Sequence, residues 1–251
     1  MLFNFFRLTI IILVLTSCQQ NHTKIQVESE RNAIGNSLET DPNIDNFIAP
    51  YRMRLEASMN EKLTYSIAEF NKKQGDLNTA IGNLMADAVF EQTAPVLRKR
   101  HNLNLDLVLL NHGGIRAPLP KGSIDMKTPF SIMPFENKVV VVQMRGKAIT
   151  NMVDYLVKAK RAHPISGMTL QISKDGKVNL FQIQNKPFDP EKTYNIATND
   201  YLYKGGDRMN FFMQSDTVFD MNYKIRNVLI DYFKTKDTLS PARDNRFIYT
   251  D

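Results

Sequence analysis

Leu105-Asp106-Leu107-Val108-Leu109-Leu110-Asn111-His112-Gly113-Gly114-Ile115-Arg116 is the stretch on which the fold turns. Its first half is a compact apolar run, the pattern of a buried strand. Its second half breaks that run with an asparagine and two glycines, so the strand delivers its chain into a tight turn with Arg116 just beyond it. A buried strand needs neighbours, and the flanking sequence supplies helical and strand patterns in alternation.

Upstream, Ile81, Leu84, Met85, Ala88 and Val89 recur at helical spacing behind Asn78 or Thr79, either of which suits a cap. Downstream, Lys138 to Met144 reads as a strand, and Ile149, Met152, Val153 and Leu156 form the next helical stripe. Met168 to Ile172 and Val178 to Ile183 flank Lys174-Asp175-Gly176-Lys177, whose Asp-Gly pair signals a hairpin. Tyr194 to Thr198 is a strand ending at Asn199-Asp200. Ile225, Val228, Leu229, Tyr232 and Phe233 line one face of a last helix, and Arg246 to Tyr249 is a short edge strand. A hairpin among such units predicts an α+β fold, a mixed β-sheet with packed helices, rather than a purely parallel one.

The chain has 251 residues, 43% of them hydrophobic, with 15 Phe and no Trp, enough to fill one sizeable core. Residues 1–17 read as a signal peptide: Arg7 is their only charge, and Leu8 to Leu15 is far shorter than the roughly 20 apolar residues that span a bilayer. The segment ends in Leu15-Thr16-Ser17-Cys18, which resembles a lipobox, and Cys18 is the only cysteine. Lipidation of Cys18 is therefore expected, with a cleaved but unlipidated signal as the alternative. The expected location is exported and lipid-anchored to a bacterial membrane, at the outer membrane or the periplasmic face. Residues 18–43 are polar, without sustained apolar period, and read as a flexible tether. The folded domain is expected over 44–251.

The formal net charge is +6, and it falls by one if Arg7 is removed with the signal. Lys and Arg are interspersed with Asp and Glu, unlike the basic stripe of a nucleic-acid binder. A small anionic ligand or an anionic surface is compatible with this mild bias, whereas a nucleic acid polymer is not expected.

Four segments stand together: Ile81-Gly82-Asn83-Leu84-Met85-Ala86-Asp87-Ala88, Asn111 to Arg116, Met133-Pro134-Phe135-Glu136-Asn137, and Ala197-Thr198-Asn199-Asp200-Tyr201 continuing to Gly205-Gly206-Asp207. Read singly, the Asn-His-Gly-Gly segment is a turn, Phe135 or Tyr201 a core ring, and Asp207 an Asx-turn residue. In order and spacing they resemble the C-terminal domain of 5'-nucleotidases and related 2',3'-cyclic phosphodiesterases. The resemblance implies that Asn111 and Arg116 contact a nucleotide and that Phe135 and Tyr201 stack its base. An arginine fork matches phosphate oxygens, and any aromatic face can stack on a heterocycle. Asn137 suits a base edge, and Asp207 suits the ribose hydroxyls. Gly113, Gly114, Gly205 and Gly206 are turn glycines that let backbone approach a ligand or take positive φ. Asn83 and Asp87 share a helical face and are expected to fix that helix to the sheet. His112 is expected to sit on the surface or behind the site rather than to bind metal. Family sequences often have Gly where Glu136 stands, so Glu136 is expected to narrow the base slot.

The Asp-x-His, Gly-Asn-His-Asp and Gly-His-x-His segments of the family's metal-binding catalytic domain are not found in the sequence. An arginine that the family places before the Gly-Asn-Leu segment is replaced by Gly75-Asp76-Leu77-Asn78. The resemblance thus implies a hydrolase-family recognition domain with no catalytic residue, metal or cofactor of its own. Divalent metals would then come from a separate metallophosphatase partner. The alternatives are a non-catalytic nucleoside-binding or scaffold lipoprotein, and a surface protein with no nucleotide role.

Overall fold

A computed structural model describes residues 27–35 and 38–251. The segment expected to be a signal peptide, residues 1–17, and Cys18 lie outside the described residues. The chain divides into two units, Met1–Ile48 and Ala49–Asp251. In the first, residues 27–35 are exposed and have no regular structure. A helix, Pro42–Met59, begins in the first unit and ends in the second, and it carries no buried residue. No helix among the described residues is long and apolar enough to cross a membrane.

The second unit contains β1 (Lys62–Ser66), β2 (Leu107–Leu109), β3 (Gly122–Asp125), β4 (Lys138–Met144), β5 (Ile165–Ser166) and β6 (Met168–Ile172). They are followed by β7 (Val178–Ile183), β8 (Lys186–Pro187), β9 (Tyr194–Asn199), β10 (Thr217–Lys224), β11 (Thr238–Leu239) and β12 (Phe247–Tyr249). These strands form three sheets, ordered β11-β1-β3, β10-β4-β9-β2-β5 and β12-β6-β7-β8. The five-stranded sheet is mixed, because β2 runs parallel to β9 while β4 runs antiparallel to it. The fold is therefore α+β, as the hairpin within the alternating pattern predicts.

Strand β4 shows why this sheet is buried on both sides. Its four valines alternate across the pleat, Val139 and Val141 entering one apolar cluster and Val140 and Val142 the other. Helices Ala80–His101 and Ile225–Lys234 cover the first face, and helix Lys147–Ala159 covers the second. The first of these helices starts where the sequence places it: the Thr79 hydroxyl accepts the Gly82 amide at 3.2 Å, satisfying one of the orphan donors of the first turn. Asn83 and Asp87 fasten that helix to the rest of the fold. Asn83 Nδ2 donates to the Ala242 carbonyl at 3.0 Å, and Asp87 accepts from Ser166 Oγ at 2.7 Å and from Arg246 at 2.8 and 3.0 Å.

The Asp-Gly hairpin joins β6 to β7, with Gly176 at φ +94°, a region that glycine enters without penalty. β12 lies at the edge of that sheet, parallel to β6. Strands β1, β3 and β10 and the helices Pro42–Met59 and Lys127–Ile132 add to the elements that the sequence pattern predicts.

Candidate functional site

Register brings three loops to one end of the central sheet. Val108 pairs with Ala197 in parallel, and Val139 pairs with Asn199 in antiparallel. The chain leaving β2 at Asn111, the chain entering β4 through Phe135 to Asn137, and the chain leaving β9 through Tyr201 to Asp207 therefore emerge side by side. Ligand sites are common where strand ends open into loops held by a rigid sheet.

Between these loops lies a cavity of about 420 Å³, lined by Asn111, Gly113, Gly114, Arg116, Met133, Phe135, Asn137, Tyr201 and Asp207. All six polar and aromatic residues singled out in the sequence are among them. The Phe135 and Tyr201 rings are 41% and 45% exposed, so neither belongs to the core. The Arg116 guanidinium stands over the Phe135 ring, 5.8 Å from its centre, within cation–π range.

Asp207 is the most constrained residue of the group. Its carboxylate accepts from Asn111 Nδ2 at 2.7 Å and from the Tyr201 hydroxyl at 2.9 Å, and its carbonyl accepts from the Tyr155 hydroxyl at 3.0 Å. Both Asp207 and Arg208 have left-handed backbone, at φ 51° and 62°. Such positions cost of order 1–3 kcal/mol each for non-glycine residues and tend to cluster at ligand sites. Gly205 is left-handed too, at φ 86°. Gly206 serves differently, because a Cβ there would lie 2.5 Å from the Tyr201 ring, which rests against it. Gly113 and Gly114 do not take positive φ either. A Cβ at Gly114 would come within 3.0 Å of Asn111 Oδ1, so these two glycines make room rather than turn the chain.

A sequence model of the family described as 5'-nucleotidase, C-terminal domain, matches residues 59–214. The chain belongs to this family. The 5'-nucleotidase C-terminal domain is similar to Protein UshA of Escherichia coli, with 29% identity over 193 residues, which is 72% of this chain and 32% of the relative. A 5'-nucleotidase of Vibrio parahaemolyticus is 26% identical over 197 residues, covering 73% of this chain and 32% of the relative. The chain thus spans about a third of the length of these relatives. Among solved structures, a 5'-nucleotidase precursor from Thermus thermophilus superposes with a TM-score of 0.68 at 22% identity, over 82% of this chain and 42% of that one. The NAD nucleotidase of Haemophilus influenzae superposes at 0.63 and 15% identity, over 84% of this chain and 42% of that one. Both share the fold.

In this 5'-nucleotidase C-terminal domain, sequence reading missed the cations around Arg116. Lys72 Nζ donates to the Ile115 carbonyl at 2.6 Å, next to Arg116. Burial, then the charges of Arg116, Arg161 and Lys73, hold the Lys72 ammonium below the usual lysine value. Lys72 precedes Gly75-Asp76-Leu77-Asn78, the stretch that stands where the resemblance implies an arginine, and it brings a cation close to Arg116. The distance between Lys72 and Arg116 along the chain leaves no local signal of this.

The two histidines sit behind the glycine turn. The His112 amide donates to His163 Nδ1 at 3.3 Å, while His112 Nδ1 faces the Ala162 carbonyl at 3.1 Å and so carries its proton. Burial, reinforced by the charges of His112 and Arg161, lowers the buried His163 to about 4. A neutral ring with Nδ1 free to accept is what the turn requires.

Glu136 departs from its expected role. Its carboxylate turns toward Lys224 and Arg226 and does not line the cavity, so it leaves the slot as wide as Phe135 and Tyr201 set it. The hydrogen bond from Lys224, then that from Arg226, holds its carboxyl down to about 2. Asn137 Nδ2 is partly committed, donating to Asp200 at 3.0 Å, which leaves its Oδ1 as the acceptor of the amide. Among the described residues, no three His, Cys, Asp or Glu side chains gather so that they could hold a metal ion.

Proposed function

We propose that this domain is the nucleotide-recognising part of a 5'-nucleotidase-type hydrolase, acting in the breakdown of nucleoside phosphates. In this reading, a separate metallophosphatase protein carries the divalent metals and the activated water. The base lies between Phe135 and Tyr201, with Asn137 at its edge. Asp207 takes the ribose hydroxyls, Asn111 and Arg116 face the phosphate, and Lys72 adds positive charge beside Arg116 from its bond to the Ile115 carbonyl. Supporting this above all is the convergence of Phe135, Tyr201, Arg116 and Asp207 on one cavity, in a fold shared with solved nucleotidases. The alternative, a non-catalytic nucleoside-binding or scaffold lipoprotein, draws on the missing upstream arginine and on Glu136. Export and lipid anchoring through Cys18 belong to the same proposal, supported by Leu15-Thr16-Ser17-Cys18.

Thermal shift of the mature protein with adenosine, other nucleosides and their monophosphates tests recognition, since a ligand at 100 times its Kd stabilises the folded state by about 2.7 kcal/mol. Stabilisation is expected, and it is expected to vanish in Phe135→Ala. No shift with any of these ligands would reject the reading. Phosphate release is expected only when a metallophosphatase is added. Release by the purified protein in excess metal, absent from an Arg116→Ala control, would reject the split. Metabolic labelling with palmitate, lost in Cys18→Ala, checks the anchor.

A further inference from the structure

Behind the cavity, the Phe135 loop is tied to the start of a helix by a buried cation. Arg226 lies in the first turn of helix Ile225–Lys234, its side chain 9% exposed and ion-paired to Glu136. Lys224 pairs with the same carboxylate from the other side. The Arg226 guanidinium stacks on the Phe130 ring, 4.1 Å from its centre, and its Nε is buried with no hydrogen-bond partner among the described residues. One position away, the Ile225 amide donates to the Asn137 carbonyl at 3.0 Å. The residues on both sides of Glu136, Phe135 and Asn137, line the cavity, whereas Glu136 and Arg226 do not.

A pair exposed on both sides would mean little, but here the cation has left water while the carboxylate that balances it, 63% exposed, has not. Apolar replacements of buried pairs are commonly as stable as the pair itself, so such a pair is better explained by the geometry it selects than by stability. We infer that the Arg226–Glu136 clasp is a positioning device: it fixes the Phe135 segment, and with it the aromatic wall of the cavity, in one place. The clasp rests on the nucleotide-recognition reading only for what that wall grips.

The sequence contains no Trp, so Phe135→Trp introduces a single fluorophore at the wall. Its anisotropy and acrylamide quenching are measured in the full chain with and without Glu136→Gln, and with Glu136→Gln/Arg226→Met. The double variant leaves no buried cation stranded, since Lys224 is 40% exposed and stays in water, and it keeps the test valid if the single variant folds poorly. Breaking the clasp is expected to lower the anisotropy of this indole and raise its quenching. With Phe135 intact, the double variant is expected to bind adenosine about tenfold more weakly, the loss of roughly one stacked base. Its affinity for inorganic phosphate is expected to stay unchanged. An unchanged anisotropy overturns the inference, whatever happens to adenosine. Equal losses for adenosine and phosphate also overturn it, since they report general unfolding. A fall in anisotropy in a protein whose parent form binds no nucleoside rejects the nucleotide reading and leaves the clasp standing.

Discussion

The Tyr201 hydroxyl and Asp207 hold each other twice: the hydroxyl donates to Oδ1 at 2.9 Å and accepts the Asp207 amide at 3.2 Å. The ring that walls one side of the cavity is thereby locked to the carboxylate at its floor. Tyr201→Phe keeps the ring and removes both bonds. It is expected to cost about 1 kcal/mol of stability by denaturant titration. Adenosine affinity is expected to fall less than in Tyr201→Ala, which also loses the stacking surface. Equal affinities in the two variants would show that the ring does not carry the binding.

Gly206 is expected to be intolerant of the smallest side chain. In Gly206→Ala the new Cβ meets the Tyr201 ring at 2.5 Å, so the ring must leave its seat. Nucleoside binding is expected to drop as far as in Tyr201→Ala, with thermal stability changed little. Calorimetry on the two variants side by side checks this.

Lys72 is expected to act on phosphate alone. Lys72→Ala should weaken nucleoside monophosphate binding while leaving the corresponding nucleoside unchanged, and it should flatten the dependence of monophosphate affinity on salt. A matching loss for the nucleoside would place Lys72 in a scaffolding role, through its bond to the Ile115 carbonyl.

His163 predicts an acid limb in stability. Its folded value of about 4 lies below the ordinary 6.5, so the unfolded chain takes up the proton first. Its contribution is fully present above about pH 6.5 and lost as pH falls through about 4, a change of about 3 kcal/mol. Urea titrations at several pH values are expected to show this slope in the native protein. The slope should be shallower in His163→Gln, which keeps an acceptor but does not titrate.

Arg246 predicts a stability effect without a binding effect. It donates to Asp87, Asp244 and the Ile165 carbonyl, joining helix Ala80–His101 to β5 and to the C-terminal segment. Arg246→Ala is expected to cost about 2 kcal/mol, since the network is partly open to water. Adenosine affinity should be retained in the folded fraction.

Much of this fold is legible in the sequence where one face of an element is buried. The valines of β4, the stripe behind Thr79 and the Asp-Gly hairpin each carry a period or a turn residue that packing then uses. β10 escapes such a reading because it is an edge strand: Asp220 and Asn222 interrupt it, and of its eight residues Met221 alone is buried. Asn111, Arg116, Phe135, Asn137, Tyr201 and Asp207 come from the resemblance rather than from any local period, and the fold brings them to one cavity. Lys72, Arg161 and His163 are not legible, since only tertiary packing brings them to Arg116 and to the glycine turn. Glu136 shows the limit in another way, because sequence places it between two cavity residues while its own side chain obeys Arg226 behind them.

The cations about Arg116 also crowd one another. Lys72 gives up its proton more readily than a free lysine because burial and the crowding of Arg116 and Arg161 disfavour its charge. An arriving dianion would offset the crowding of the cations, though not the burial, and so strengthen the hold on the proton. If the site grips phosphate as proposed, capture at alkaline pH is expected to draw a proton from solvent onto Lys72, and the grip to slacken as the medium becomes more basic.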